Sequence, residues 1–245
     1  MYKKNKLKRY NLYIVLIFTL LFFCSNHSYS QNRKPKNLPF ADQKLFHLGF
    51  TVGINAQDLI LSHTGFANKD KSVWYSEIPS YSVGFSVGFI ADRYINQYMN
   101  LRVVPTLHFG EKRFTFREEN GLKDNFEASI KTNYLSLPVH MRFSSERFNN
   151  IRPYVLAGGF VNTQIGNPKA PVIKLENLDY GIDIGLGCNL YFPLFKLSPE
   201  LRFSFGLRDL IVKDRPDITD PDMQVFTNAL KSGKSRMITL TFNFE

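Results

Sequence analysis

The sequence predicts an all-β protein: an eight-stranded antiparallel transmembrane β-barrel preceded by a cleaved signal peptide. Three observations carry that expectation. Apolar residues recur at every second position in segment after segment, the connections between those segments alternate between long and short, and a basic cluster followed by an apolar run opens the chain. Period-two alternation marks a strand with one apolar face. Alternating loop lengths place long loops at one end and tight turns at the other, the asymmetry of bacterial membrane barrels.

The leader comes first. Lys3, Lys4, Lys6, Lys8 and Arg9 stand without an acidic neighbour, and Leu12 to Cys24 is apolar. That run is shorter than the ~20 residues a helix needs to cross a bilayer. Ser28, Tyr29 and Ser30 offer a small-x-small cleavage site before Gln31. Residues 1–30 are therefore expected to be a signal peptide cut after Ser30 rather than an uncleaved anchor. Lipidation at Cys24 is disfavoured, because Phe22 and Phe23 stand where lipoprotein signals carry small residues. Loss of the five leader cations lowers the formal charge from +10 to +5. No Lys/Arg stripe with interleaved stacking aromatics is left, so nucleic acid is not an expected partner. Cys188 would be the sole remaining cysteine, which excludes an intramolecular disulfide.

Residues 31–45, with Lys34, Pro35, Lys36 and Pro39, read as an irregular periplasmic lead-in, and residues 46–245 as the barrel. The first strand carries Phe46, Leu48, Phe50, Val52 and Ile54 on one face; the second Tyr81, Val83, Phe85, Val87, Phe89 and Ala91. The third carries Leu101, Val103, Pro105, Leu107 and Phe109, and the fourth Leu135, Leu137, Val139, Met141 and Phe143. Ile151 to Asn162 is apolar and broken by glycine without clean alternation, and is assigned as the fifth strand on position and composition. Alternation returns in Tyr180 to Phe192, Leu197 to Leu207 and Ile238 to Phe244. Long connections are expected at 56–79, 111–129, 163–178 and 209–236, with short ones at 93–98, 144–150 and 193–196. The last long loop is expected to hold a helical stretch capped by Asp220 and Pro221, carrying Met223, Val225, Phe226 and Leu230, and stopped by Gly233.

A soluble barrel such as a lipocalin would show the same alternation, so the other face decides. It holds Gly49, Gly53, Gly84, Gly88, Gly181, Gly185, Gly187 and Gly206 among Ser, Thr and the charged Arg102, Arg142, Asp179, Asp183, Glu200, Arg202 and Arg208. Small residues suit a narrow interior, whereas a solvated face would carry Lys and Glu freely. The apolar stripes contain no charge; reversing the parity would expose several charges to lipid at about 2–4 kcal/mol each near the midplane. The apolar face is therefore assigned to lipid and the charged face to the lumen. Tyr94, Tyr98, Phe148, Tyr154, Phe192 and Phe195 are expected to form an interfacial girdle at the short-turn side.

Residues that carry chemistry are sparse. His47, His108 and His140 have inward parity on separate strands and read as hydrogen-bonded lumen fillers, and His63 as a solvated loop residue, with no nucleophile motif around them. Glu118 with Glu119, and Asp217, Asp220 with Asp222, read as solvated loops; a weak calcium site at the outer rim is the alternative for Asp220, Pro221 and Asp222, but a helix start explains the same residues without a metal. Gly158, Gly159, Gly185 and Gly187 lack the strand-to-helix context of a phosphate loop. The expectation is no catalytic, cofactor or metal site, and a lumen filled by its own side chains rather than an open pore.

Four segments resemble the PorT family: LPFADQKLFHLGFTVGINAQDL at 38–59, NYLSLPVHMRF at 133–143, RPYVLAGG at 152–159 and LSPELRFSFGLRDL at 197–210. Phe46 to Leu59 is the most family-specific part. The resemblance implies an outer-membrane barrel of Bacteroidetes that takes part in type IX secretion, the export of proteins with C-terminal sorting domains, and in some species supports gliding motility. The expected function is that of a non-enzymatic component or accessory of this secretion. Its expected partners are outer-membrane lipid and other envelope proteins, with no small-molecule substrate. The rival readings are a surface adhesin or ligand-binding barrel using the long loops with Trp74, Phe114, Phe116 and the 209–236 segment, and an outer-membrane hydrolase or acyltransferase built on the scattered histidines near hydroxyls.

Overall fold

A computed structural model of the chain describes residues 35–63, 74–76, 82–118, 126–166, 175–212 and 230–245. The β-branched and aromatic residues of the alternating segments form strands β1 (Phe46–His63), β2 (Trp74–Ser76), β3 (Ser82–Asn96), β4 (Met99–Val103) and β5 (Thr106–Glu118). They continue as β6 (Phe126–Ser144), β7 (Ile151–Gln164), β8 (Leu178–Tyr191), β9 (Lys196–Gly206) and β10 (Leu230–Phe244). Each pairs antiparallel with its neighbour, and β1 pairs with both β3 and β10, so the sheet closes into a ring. β4 and β5 together make one stave between β3 and β6, giving eight staves; β2 adds a short extension to β5.

The break within that stave has a local cause. Pro105 accepts from the Phe89 N–H at 3.0 Å, and Pro138 from the Val104 N–H at 3.3 Å, but neither proline can return a hydrogen bond. The Thr106 hydroxyl donates to the Val104 carbonyl at 2.7 Å and takes up the acceptor left over.

Burial follows the parity read from the sequence. Leu48, Phe89, Leu137, Val155, Ile184 and Phe242 are among the exposed large apolar residues, while Thr51, Arg102, His140, Asp183, Glu200 and Thr239 are buried. Polar inside and apolar outside is the inverse of a soluble protein, and it makes the wall a lipid-facing surface. Cross-strand aromatic pairs brace that surface: Phe50 stacks on Phe244 with centroids 4.9 Å apart across the β1–β10 closure, and Phe85 on Phe109 at 4.5 Å.

Several strands run further at the long-loop end than expected. β1 reaches His63, β5 reaches Glu118, and β6 starts at Phe126, so the loops are shorter than 56–79 and 111–129. β10 starts at Leu230, and Gly233 pairs with Leu61 in a ladder instead of stopping a helix. Asp217, Asp220, Pro221, Asp222, Met223, Val225 and Phe226 lie outside the described residues, as do residues 1–34. β7 alternates cleanly in burial although its sequence does not alternate in polarity, because the large residues Tyr154, Leu156 and Phe160 point inward. Two of them lie over inward glycines on β8. A Cβ at Gly187 would stand 2.4 Å from the Tyr154 ring, and one at Gly181 would stand 2.7 Å from that of Phe160. The ring fills the space that the missing side chain leaves, the device known as aromatic rescue of a strand glycine.

Candidate functional site

The functional candidates all lie in the lumen and at its short-turn end. The first cluster assembles because neighbouring staves put charged residues on the same face. Asp92 of β3 is the register partner of Arg102 of β4, and Arg102 Nε donates to Asp92 at 2.9 Å. Asn100 donates to the same carboxylate at 2.7 Å, and Arg142 of β6 approaches it at 3.6 Å. Arg102 also pairs with Glu245, directly after β10, and reaches Glu200 of β9 at 3.7 Å. Lys196 holds Glu245 at 2.6 Å, the Tyr154 hydroxyl donates to Glu200 at 2.9 Å, and Arg142 stacks 4.7 Å over the Tyr154 ring. Three cations thus face three carboxylates, every one of these side chains at most 4% exposed. Pairing offsets the desolvation that any one of these charges would suffer alone.

Above this cluster lie the histidines. His140 Nε2 meets Asp183 at 2.7 Å, and Ser86 Oγ meets His108 Nδ1 at 2.7 Å. Ser86, His108 and His140 are each at most 1% exposed, so no substrate from solvent or lipid reaches them in this arrangement. His47 is also in the lumen, bonded to the Ala41 carbonyl and 4.0 Å from Asp92. His63 ends β1 instead of standing in a loop. Towards the long-loop end, Arg236 pairs with Asp58, and the Ser235 hydroxyl donates to Asp179. A cavity of about 20 Å³ there, bordered by Gln57, Asn162 and Asp179, has room for about one water molecule. Among the described residues, no group of His, Cys, Asp and Glu is arranged to hold a metal ion.

The short-turn end is closed by a strap formed by the lead-in, which makes one 3-10 turn at Ala41–Gln43. Arg147, on the turn between β6 and β7, donates to the Leu38 carbonyl at 3.2 Å and to that of Asn37. Asn37 donates from its backbone to the Asn150 side chain at 2.9 Å, and from its amide to the Tyr191 carbonyl at 3.0 Å. Asp42 pairs with Arg152 at 3.2 Å, accepts from the Tyr191 hydroxyl, and lies 3.9 Å from Arg147. Arg147 in turn stacks 3.6 Å over the Tyr191 ring. Leu38 is held at φ 49°, a left-handed conformation costing about 1–2 kcal/mol for a residue with a Cβ.

Inward parity had singled out Arg102, Arg142, Asp179, Asp183, Glu200 and Arg202, and all are buried in the lumen. Arg208 is not: β9 ends at Gly206, and Arg208 pairs at the rim with Glu176 at 3.2 Å. Tyr154 does not belong to the girdle either, since it is 3% exposed and points inward to Glu200, whereas Tyr98, Phe148, Phe192 and Phe195 are exposed at the short-turn end. The strap contacts of Asp42, Arg147, Arg152 and Tyr191 carried no sequence signal, because they join residues far apart in the chain. Trp74 and Phe116 fall in the pairing of β2 with β5.

Closed antiparallel sheet, apolar exterior and ionic lumen together define an outer-membrane β-barrel. The chain belongs to the outer membrane protein beta-barrel domain family, whose model matches residues 29–212. Among solved structures, it is similar to Neisserial surface protein A at 14% identity and a TM-score of 0.40, over 79% of this chain and 95% of that one. It is similar to OprG from Pseudomonas aeruginosa at 12% identity and a TM-score of 0.40, over 81% and 93%. Ail, the attachment invasion locus protein of Yersinia pestis, matches at 11% identity and a TM-score of 0.35, over 80% and 96%. No curated protein sequence matches the chain.

Proposed function

We propose that this outer-membrane barrel is a non-enzymatic component or accessory of type IX secretion, delivered through the inner membrane by residues 1–30 as a cleaved signal peptide. The observation that carries the reading is the PorT-like segment at 38–59, which supplies both the strap and the first stave. The lumen supports a scaffold more than a conduit. Arg102, Arg142 and Lys196 occupy it together with Asp92, Glu200 and Glu245, and the strap lies across its short-turn end. A filled barrel of this size acts through its rim and loops on other envelope proteins.

The test is the secreted proteome of a clean deletion strain beside the wild type and a complemented strain. Loss of proteins with C-terminal sorting domains from the medium, their accumulation in the periplasm, and restoration by the gene are the expected results. Unchanged export would overturn the secretion role.

A further inference from the structure

We propose that Arg147, Asn150, Arg152 and Tyr191 form a peptide-binding cradle, filled in this structure by the chain's own Asn37–Asp42 and open to a turn-forming, acid-bearing segment of a periplasmic partner that displaces it. The inference stands on the geometry of the short-turn end and is independent of the secretion role.

What the cradle recognises is generic. Arg147 takes two successive main-chain carbonyls, those of Asn37 and Leu38, and the Asn150 side chain takes one main-chain N–H. The only side-chain carboxylate read is that of Asp42, which sits among Arg152, Arg147 and the Tyr191 hydroxyl. A peptide that folds into the same turn, which the Ala41 N–H closes on the Leu38 carbonyl at 3.1 Å, and that carries an acidic residue at the position of Asp42 offers the same groups.

The receptor side is built, and the strap side is loosely held. The Arg147 and Arg152 side chains are only 7% and 6% exposed, and both are anchored independently of the strap. Arg147 bonds the Asn149 carbonyl at 2.9 Å and the Asn150 side chain at 2.8 Å, and Arg152 bonds the Ser145 carbonyl at 2.8 Å. The strap, in contrast, has no fully buried apolar side chain: Leu38 and Ala41 are half-buried, Phe40 is 72% exposed and Leu45 58%. Its 3-10 turn has no side-chain cap, and Leu38 is kept in a left-handed conformation that release would relieve. A segment held mainly by polar contacts, with strain stored in it, is one that a competing peptide can replace. Direct linkage makes the strap a strong competitor in cis, so displacement needs a partner peptide at high local concentration.

The probe is a fluorescein-labelled peptide of residues 36–44, added to the full barrel in lipid nanodiscs and followed by anisotropy. Asp42→Ala in the barrel loosens the strap by removing its carboxylate from Arg152 and the Tyr191 hydroxyl, and is expected to raise peptide affinity at least about tenfold over the wild type. Asp42→Asn in the peptide, or Arg152→Met added to the Asp42→Ala barrel, is expected to reverse the gain. If Asp42→Ala fails to fold, hydrogen exchange on the wild-type barrel decides instead, with faster exchange at residues 37–43 expected when unlabelled peptide is in excess. Equal affinity for both barrels, indifference to Asp42→Asn, or exchange at 37–43 unmoved by peptide would each overturn the proposal.

Discussion

Arg102 is the most instructive residue to remove. Its guanidinium is 1% exposed and contacts Asp92, Glu200 and Glu245, so Arg102→Met leaves three buried carboxylates facing only Arg142 and Lys196. Breaking a buried ion pair by deleting one partner costs about 3–5 kcal/mol, because the uncompensated charge remains in a low-dielectric interior. Methionine roughly preserves the length of the side chain, which confines the loss to charge and hydrogen bonding. Urea titration of barrels refolded into lipid vesicles, read by tryptophan fluorescence and by mobility of the unboiled band on gels, measures the cost. Glu245→Gln added to Arg102→Met removes one stranded carboxylate, so the double variant is expected to be more stable than Arg102→Met alone. The sign of that coupling is the decisive part, since residues sharing one network do not add. Arg102→Met within 1 kcal/mol of the wild type, or a double variant less stable than Arg102→Met, would refute the account of the lumen as a compensated network; the first of these thresholds lies well below the ~3 kcal/mol lower bound for a broken buried pair.

Three further outcomes follow from the same structure. Ile184, half exposed on the lipid face of β8, should tolerate arginine poorly: Ile184→Arg is expected to lower folding stability in vesicles by about 2–4 kcal/mol. Gly187→Ala places a Cβ against the Tyr154 ring and is expected to cost about 1–3 kcal/mol in the same titration, with part of the loss recovered when Tyr154→Ala opens the space. Because Arg102, Arg142, His140 and Tyr154 fill the lumen, purified barrel in planar bilayers is expected to give no discrete conductance steps; regular steps would contradict the scaffold reading.

The architecture was legible because a membrane barrel writes its two faces into alternate residues. Leu135, Leu137 and Val139 against Ser136 and His140 already state which side of β6 meets lipid, and the same parity placed Arg102, Arg142, Asp183 and Glu200 in the lumen. Legibility failed where an inward position holds a large residue. Tyr154, Leu156 and Phe160 made β7 read as uniformly apolar, and only their β8 neighbours Gly187, Gly185 and Gly181 explain why there is room for them. It failed again at Gly233, where a local helix-stop signal competes with a ladder to Leu61 that only the closed sheet supplies. The ionic cluster was visible as a set of inward charges but not as pairs: Arg102 and Glu245 are 143 positions apart, and their contact exists only once β1 and β10 close the ring. The strap depends on the same long-range closure, which brings Asp42 to Tyr191 and Asn37 to Asn150.

The most direct test of the central claim, an inside-out barrel with lipid outside and a filled polar lumen, is a nitroxide accessibility scan along β6 in bilayers, with Cys188 replaced. Single labels at Leu135, Ser136, Leu137, Val139 and His140 would be read for collision with oxygen, which concentrates in hydrocarbon, and with a water-soluble nickel chelate. High oxygen and low nickel access at Leu135, Leu137 and Val139, with low access to both at Ser136 and His140, is the predicted result. Nickel access at the odd positions, or no two-residue period at all, would contradict it.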